Sequence, residues 1–82
     1  MKLKEWNEIL VFANEVCKRL IKNGYIVKSI VYGNYSNEKG ICIYVYDKNG
    51  NVFEKYHSGI YKTIEEYKKA LIKTEEQIKR EC

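Results

Sequence analysis

The amino-acid sequence predicts an α+β domain in which a three-stranded antiparallel sheet carries two helices packed on one face. Three observations support this fold: helical apolar spacing near both ends, β-branched and aromatic residues in the middle, and polar turns that divide the middle into strands. The element order is α-β-β-β-α, and the 82 residues are expected to form a single domain, 1–82. The other face of the sheet is then left to water or to a partner.

The first helix is predicted over residues 3–23. Apolar residues recur there at the spacing of an amphipathic helix, at Leu3, Trp6, Ile9, Leu10, Ala13, Val16, Cys17, Leu20 and Ile21. Gly24 follows as a C-terminal cap, because glycine readily adopts the left-handed backbone conformation. Val11 and Phe12 widen the apolar arc, so we expect more than one side of this helix to be packed.

Three strands are predicted over residues 25–35, 41–46 and 52–57, each rich in β-branched and aromatic residues. The polar segment 36–40 forms the first turn. The segment 47–51, with the sequence DKNGN, forms the second, and its Asp and Gly fit a type I turn closed by a glycine bulge.

Two registers of the second hairpin place its side chains differently. If Asp47 pairs with Asn51, Val45 lies opposite Phe53 and Ile43 opposite Lys55. The core face then consists of Ile41, Ile43, Val45 and Phe53, and the other face of Tyr44, Tyr46, Val52, Glu54 and Tyr56. A two-residue turn would instead set Tyr46 opposite Phe53 and crowd the aromatic residues onto one face. We prefer the first register, because it separates a dry face from an amphipathic one.

The second helix is predicted over residues 64–81. Thr63 and Glu66 form a capping box at its start. Its apolar stripe is thin, and it consists of Ile64, Tyr67, Leu71 and Ile78, with Ala70 and Thr74 between them. Glu75 and Lys79 are expected to pair on a solvated surface.

The sequence contains little that indicates catalysis. Cys17, Cys42 and Cys82 lack close spacing and are interpreted as free thiols, so we expect no metal or cofactor. A nucleophilic pair of Cys42 with His57, the single histidine, is weighed, but the preferred register sets the two one residue out of step. We therefore expect no catalytic residues. No membrane span or signal peptide is found, which predicts a cytoplasmic chain.

The net charge of +4 is spread along the chain, whereas nucleic-acid-binding proteins usually concentrate basic residues on one face. The element order resembles that of the double-stranded RNA-binding domain. In that family the second helix opens with phosphate-binding lysines, but here Glu65 and Glu66 occupy the first turn and would repel phosphates.

The chain also resembles the small accessory proteins of phages and mobile elements in AT-rich Firmicutes, including anti-CRISPR proteins. The resemblance covers size, lysine- and tyrosine-rich composition and element order, and no diagnostic motif carries it. It implies a non-catalytic, phage-encoded inhibitor that occludes a surface of a bacterial CRISPR-Cas complex in the host cytoplasm.

Tyrosine is enriched at protein interfaces, so the predicted partner-binding residues lie on the open side of the sheet. They are Tyr44, Tyr46 and Tyr56, together with the adjoining basic side chains of Lys28, Lys48 and Lys55. The expected partner is a protein or nucleoprotein complex. A tyrosine face without a partner, a nucleic-acid-binding role by base stacking and a structural homodimer are the alternatives.

Overall fold

The computed structural model describes residues 1–33 and 39–82. Helix α1 (Leu3–Lys22) precedes strands β1 (Ile26–Gly33), β2 (Lys39–Tyr46) and β3 (Val52–His57), and helix α2 (Ile64–Glu81) follows. The strands form one antiparallel sheet in the order β1-β2-β3. The predicted α-β-β-β-α order is therefore confirmed. The predicted first turn, residues 36–40, lies largely outside the described residues.

The helix ends follow from local sequence. The N–H of Gly24 donates to the carbonyl of Ile21 and that of Tyr25 to the carbonyl of Leu20, each at 3.0 Å, which closes α1 with Gly24 at φ +96°. At the start of α2, Thr63 Oγ1 accepts from the N–H of Glu66 at 3.2 Å. The predicted cap at Gly24 is confirmed. Of the predicted capping box the Thr63 half is present, whereas the Glu66 carboxylate accepts from the Thr63 hydroxyl at 2.9 Å.

Both helices pack on one face of the sheet. Alternate strand residues point toward them, because successive side chains of a strand lie on opposite faces. The buried core consists of Ile9, Ala13, Val16, Cys17, Leu20, Val27, Ile41, Ile43, Val45, Tyr56, Tyr67, Leu71 and Ile78. Of the predicted α1 stripe, Leu3 and Ile21 lie at its margins and are 77% and 54% exposed.

Two ion pairs join the two helices. Lys68 Nζ of α2 lies 3.9 Å from Glu8 Oε1 of α1, and the closer pair is Arg19 with Glu75. Arg19 of α1 donates through Nε and Nη2 to the two carboxylate oxygens of Glu75 of α2, at 2.9 and 2.8 Å. Glu75 is only 6% exposed, and Lys79 Nζ lies 3.9 Å from its Oε2. The expected Glu75–Lys79 contact is present, but Glu75 is buried between the helices rather than solvated.

The register of the β2–β3 hairpin combines the two predicted alternatives. The turn is the one preferred: the N–H of Asp47 donates to the carbonyl of Asn51 at 2.9 Å, and Gly50 has φ +84°. Tyr46 pairs with Val52, but Val45 pairs with Glu54, so Phe53 is an extra residue in a β-bulge. Beyond the bulge every pairing is shifted by one residue.

The bulge overturns four placements predicted from the sequence. Lys55 lies opposite Tyr44 on the uncovered face, and not opposite Ile43. Tyr56 lies opposite Ile43 on the helix-facing side and is 8% exposed, so it belongs to the core. Phe53 is 63% exposed and lies outside the core. Glu54 lies opposite Val45, on the helix-facing side rather than with the tyrosines.

Candidate functional site

The face of the sheet that the helices leave uncovered is the candidate binding surface, and we call it the open face. Its side chains form three rows that each cross all three strands: Ile26–Tyr46–Val52, Lys28–Tyr44–Lys55 and Ile30–Cys42–His57. The open face therefore places an apolar row beside a row in which two lysines flank a tyrosine.

Apolar atoms of the open face are exposed to solvent. Ile26 and Val52, at the ends of the first row, are 52% and 45% exposed, and Tyr46 between them is half-buried. The rings of Tyr44 and Tyr46 lie 6.4 Å apart at 48° to each other. Large aliphatic and tyrosine side chains grouped in this way are characteristic of the centre of a protein interface.

The charge of the open face is positive. Lys55 Nζ lies 5.3 Å from the centre of the Tyr44 ring, an arrangement in which the cation is attracted to the ring face. Lys28 is exposed on the other side of Tyr44. Among the described strand residues of this face, the charged side chains are these two lysines, so a complementary surface would carry carboxylates opposite them.

The six residues predicted as a site from the sequence are only partly brought together. Tyr44, Tyr46, Lys28 and Lys55 share the open face. Lys48 is exposed in the hairpin turn, at one end of the sheet. Tyr56 is on the opposite face, where its hydroxyl donates to Glu81 Oε2 at 3.2 Å.

Sequence reasoning missed the two isoleucines of the open face, Ile26 and Ile30. They alternate with Lys28 along β1, so the period of two in this strand was the signal that could have found them. They extend the apolar surface across the whole width of the sheet.

The structure makes Cys42 and His57 direct cross-strand partners, which the preferred register did not. Cys42 is nevertheless 2% exposed, and burial raises the pKa of its thiol. A raised pKa keeps the thiol protonated and weakly nucleophilic near neutral pH. The His57 ring packs edge-on against Tyr32, with 5.1 Å between ring centres. The pair is therefore placed for packing rather than for nucleophilic chemistry.

A cavity of about 660 Å³ lies at the start of α1, beside the loop that leads into α2. Its wall is an aromatic cluster: the rings of Trp6 and Tyr61 lie 5.1 and 5.3 Å from that of Tyr67. The Tyr67 hydroxyl donates to the carbonyl of Lys39 and accepts from the N–H of Tyr61 at 3.1 Å. The Tyr67 hydroxyl thus has a hydrogen-bond donor and an acceptor within the chain. The aromatic cluster is therefore interpreted as an anchor that holds the loop before α2 against the start of β2.

Within residues 1–33 and 39–82, no three metal-ligating side chains come together. Neither α1 nor α2, in this same part of the chain, is long and apolar enough to cross a membrane. No family model, curated protein or solved structure matches the chain. The open face is therefore interpreted from its own residues.

Proposed function

We propose that this chain is a non-catalytic binding protein that acts stoichiometrically on a protein partner through the open face. The observation that carries the proposal is the apolar row Ile26–Tyr46–Val52 beside the row Lys28–Tyr44–Lys55. The matching partner surface is apolar at its centre and carries carboxylates opposite the two lysines.

The geometry favours a protein over a nucleic acid as the partner. A base-stacking platform needs ring faces that a base can cover, but Lys55 lies over the Tyr44 ring and the two tyrosine rings are tilted against each other. Exposed Ile26 and Val52 offer aliphatic area that phosphates cannot use. Nucleic-acid binding is thus the competing outcome of the test.

The biological form that we propose is a phage-encoded inhibitor of a bacterial defence complex of the CRISPR-Cas type, acting in the host cytoplasm. Its support is the resemblance in size, composition and element order to anti-CRISPR proteins. Inhibition would occur by occlusion, because the bound domain covers a surface of the defence complex that other ligands of that complex need.

The test is capture of partners from a lysate of a Firmicute that carries its own defence systems. Tagged wild-type protein is compared with the open-face variant Ile26→Glu/Val52→Glu and with a matched control, Val11→Glu/Ile72→Glu. The control alters exposed apolar residues of the two helices, which are 58% and 36% exposed. Circular dichroism establishes that all three proteins are folded.

The proposal predicts a protein captured in stoichiometric amount by the wild type and the control, but not by the open-face variant. That capture should survive nuclease and high salt, because apolar contact is not screened by ions. Nucleic acid recovered alone, and lost as salt is raised, would contradict the proposal and favour the nucleic-acid-binding alternative.

A further inference from the structure

Strand β1 ends the three-stranded sheet on one side, and within residues 1–33 and 39–82 no further strand pairs with its outer edge. The N–H of Ser58 donates to the carbonyl of Ile41 at 2.8 Å, so Ile41 directs its backbone groups toward β3. Along an antiparallel strand, successive residues direct their backbone N–H and C=O groups toward opposite sides. Cys42 and Tyr44 therefore direct these groups toward β1. It follows that Val27, Ser29 and Val31 direct their N–H and C=O groups away from the sheet.

The outer edge of β3 is protected in ways that β1 is not. Strand β3 is six residues long and is interrupted by the bulge at Phe53. The N–H of Lys55 donates to the side chain of Glu54 at 3.0 Å. Bulges and short length protect an edge against pairing with another strand, whereas β1 runs for eight residues paired with β2 without a shift of register.

Helix α1 flanks the edge of β1 with apolar side chains. Asn14 Oδ1 accepts from Ser29 Oγ at 3.0 Å, which fixes the middle of α1 beside the middle of β1. A groove of about 420 Å³ lies between Lys18 and Ile21 of the helix and Val27 of the strand. Ile21 is 54% exposed on this flank, and half-buried Leu10 lies on the same side of α1.

We propose that a second copy of this chain pairs with the edge of β1, antiparallel and about a two-fold axis at Ser29. Ser29 then lies opposite Ser29 of the second copy, and Val27 opposite Val31, so each outward N–H meets an outward C=O. A shift that brought Lys28 opposite Lys28 of the second copy would be disfavoured by like charge. In the proposed register Lys28 lies opposite Ile30.

The helices support the same axis. The part of α1 beside Ser29 lies between Asn14 and Cys17. A two-fold axis there sets Leu10 opposite Ile21 of the second copy, which covers the exposed isoleucine. The dimer has a six-stranded sheet, with all four helices on one side and a continuous open face on the other.

The test is the mass in solution, measured by sedimentation equilibrium over a range of protein concentrations. Wild-type protein should approach twice the 9.8 kDa of one chain. Ser29→Pro should be monomeric, because proline lacks the N–H that pairs across the axis and is tolerated where that N–H points outward. His57→Pro, the matched change on the outer edge of β3, should remain dimeric.

A second pair of variants tests the helix flank without altering the backbone. Ile21→Lys should weaken the dimer at least tenfold, because it sets a charge against Leu10 of the second copy. Val11→Lys alters an equally exposed residue of α1, about a quarter turn away from Ile21 and Leu10, and should leave the dimer intact.

Two results would overturn the proposal: a wild-type protein that is monomeric at every concentration, or a dimer that persists in both Ser29→Pro and Ile21→Lys. If Ser29→Pro fails to fold, Ile21→Lys against Val11→Lys decides alone. Because Ser29→Pro, Ile21→Lys and Val11→Lys leave the three rows of the open face unchanged, their outcome is separate from that of the partner-capture experiment.

Discussion

Glu75 shows how one residue connects the two helices. It accepts two hydrogen bonds from Arg19, and these bonds are the main reason why the pKa of its carboxyl is lowered. Burial opposes the lowering, and the positive charges of Arg19 and Lys79 add to it. A buried carboxylate is costly when its partner is removed, so the Arg19–Glu75 contact matters for stability. The sequence did not suggest this, because the spacing of Glu75 and Lys79 predicted an exposed i, i+4 pair.

Glu75→Gln should destabilise the fold by about 1–2 kcal/mol at pH 7, the range for hydrogen bonds to a charged group with a half-exposed partner. Because the folded pKa is lowered, the stabilisation is present above the ordinary carboxyl pKa and is lost as pH falls through the folded value. Urea unfolding should therefore show a difference in unfolding free energy between wild type and Glu75→Gln that is smaller at pH 3 than at pH 7. Glu76→Gln, at an exposed neighbouring residue, is the control and should leave the unfolding free energy unchanged at both pH values.

The three thiols should differ in reactivity. Burial raises the pKa of the Cys17 thiol and of the Cys42 thiol, and both are almost fully covered, whereas Cys82 is exposed. A disulfide reagent at pH 8 should modify one thiol per chain rapidly, and peptide mapping should assign it to Cys82. Fast labelling of Cys42 instead would revive the Cys42–His57 pair as a reactive centre.

At the scale of elements, the bulge at Phe53 decides which residues of β3 are core. Between the turn and the bulge, the strands pair in the preferred register, in which Asp47 lies opposite Asn51. Beyond the bulge, they pair in the alternative register that a two-residue turn would produce. One inserted residue exchanges the roles of Phe53 and Tyr56.

The two aromatic residues should respond oppositely to truncation. Tyr56→Ala should cost about 3–5 kcal/mol, the range for a buried aromatic side chain, because it also removes the contact to Glu81. Phe53→Ala should cost less than about 1 kcal/mol, since the ring is mostly exposed. Chemical denaturation of both variants measures this, and equal losses would mean that the register beyond the bulge is different.

Helix positions and caps could be predicted because Thr63, Gly24 and the apolar spacing act locally. The hairpin could not be predicted to its full length, because the turn specifies only the first pairs and the bulge depends on packing of Tyr56 against the helices. For the candidate site, Tyr44 and Tyr46 were predicted to share the uncovered face, and they do. Lys55 joins them only because of the bulge, since the preferred register set it opposite Ile43. Tyr56 was misplaced by the bulge alone.

At the scale of the whole molecule, the helices cover one face of a thin sheet and leave the other uncovered. Two of the 15 basic side chains, those of Lys28 and Lys55, flank Tyr44 on the open face. Lys28→Ala/Lys55→Ala should slow association with the partner and reduce its salt dependence, while leaving dissociation at high salt nearly unchanged. Surface plasmon resonance at several salt concentrations measures both rates, and Lys69→Ala/Lys73→Ala on α2 is the matched control.

The most direct test of the open face as the binding surface is lysine footprinting of the captured complex by acetylation and mass spectrometry. The proposal predicts that Lys28 and Lys55 become protected when the partner binds, while Lys69 and Lys73 on α2 are labelled as in the free protein. Protection of Lys39 and Lys62, which line the cavity at the start of α1, with Lys28 and Lys55 still labelled, would contradict it.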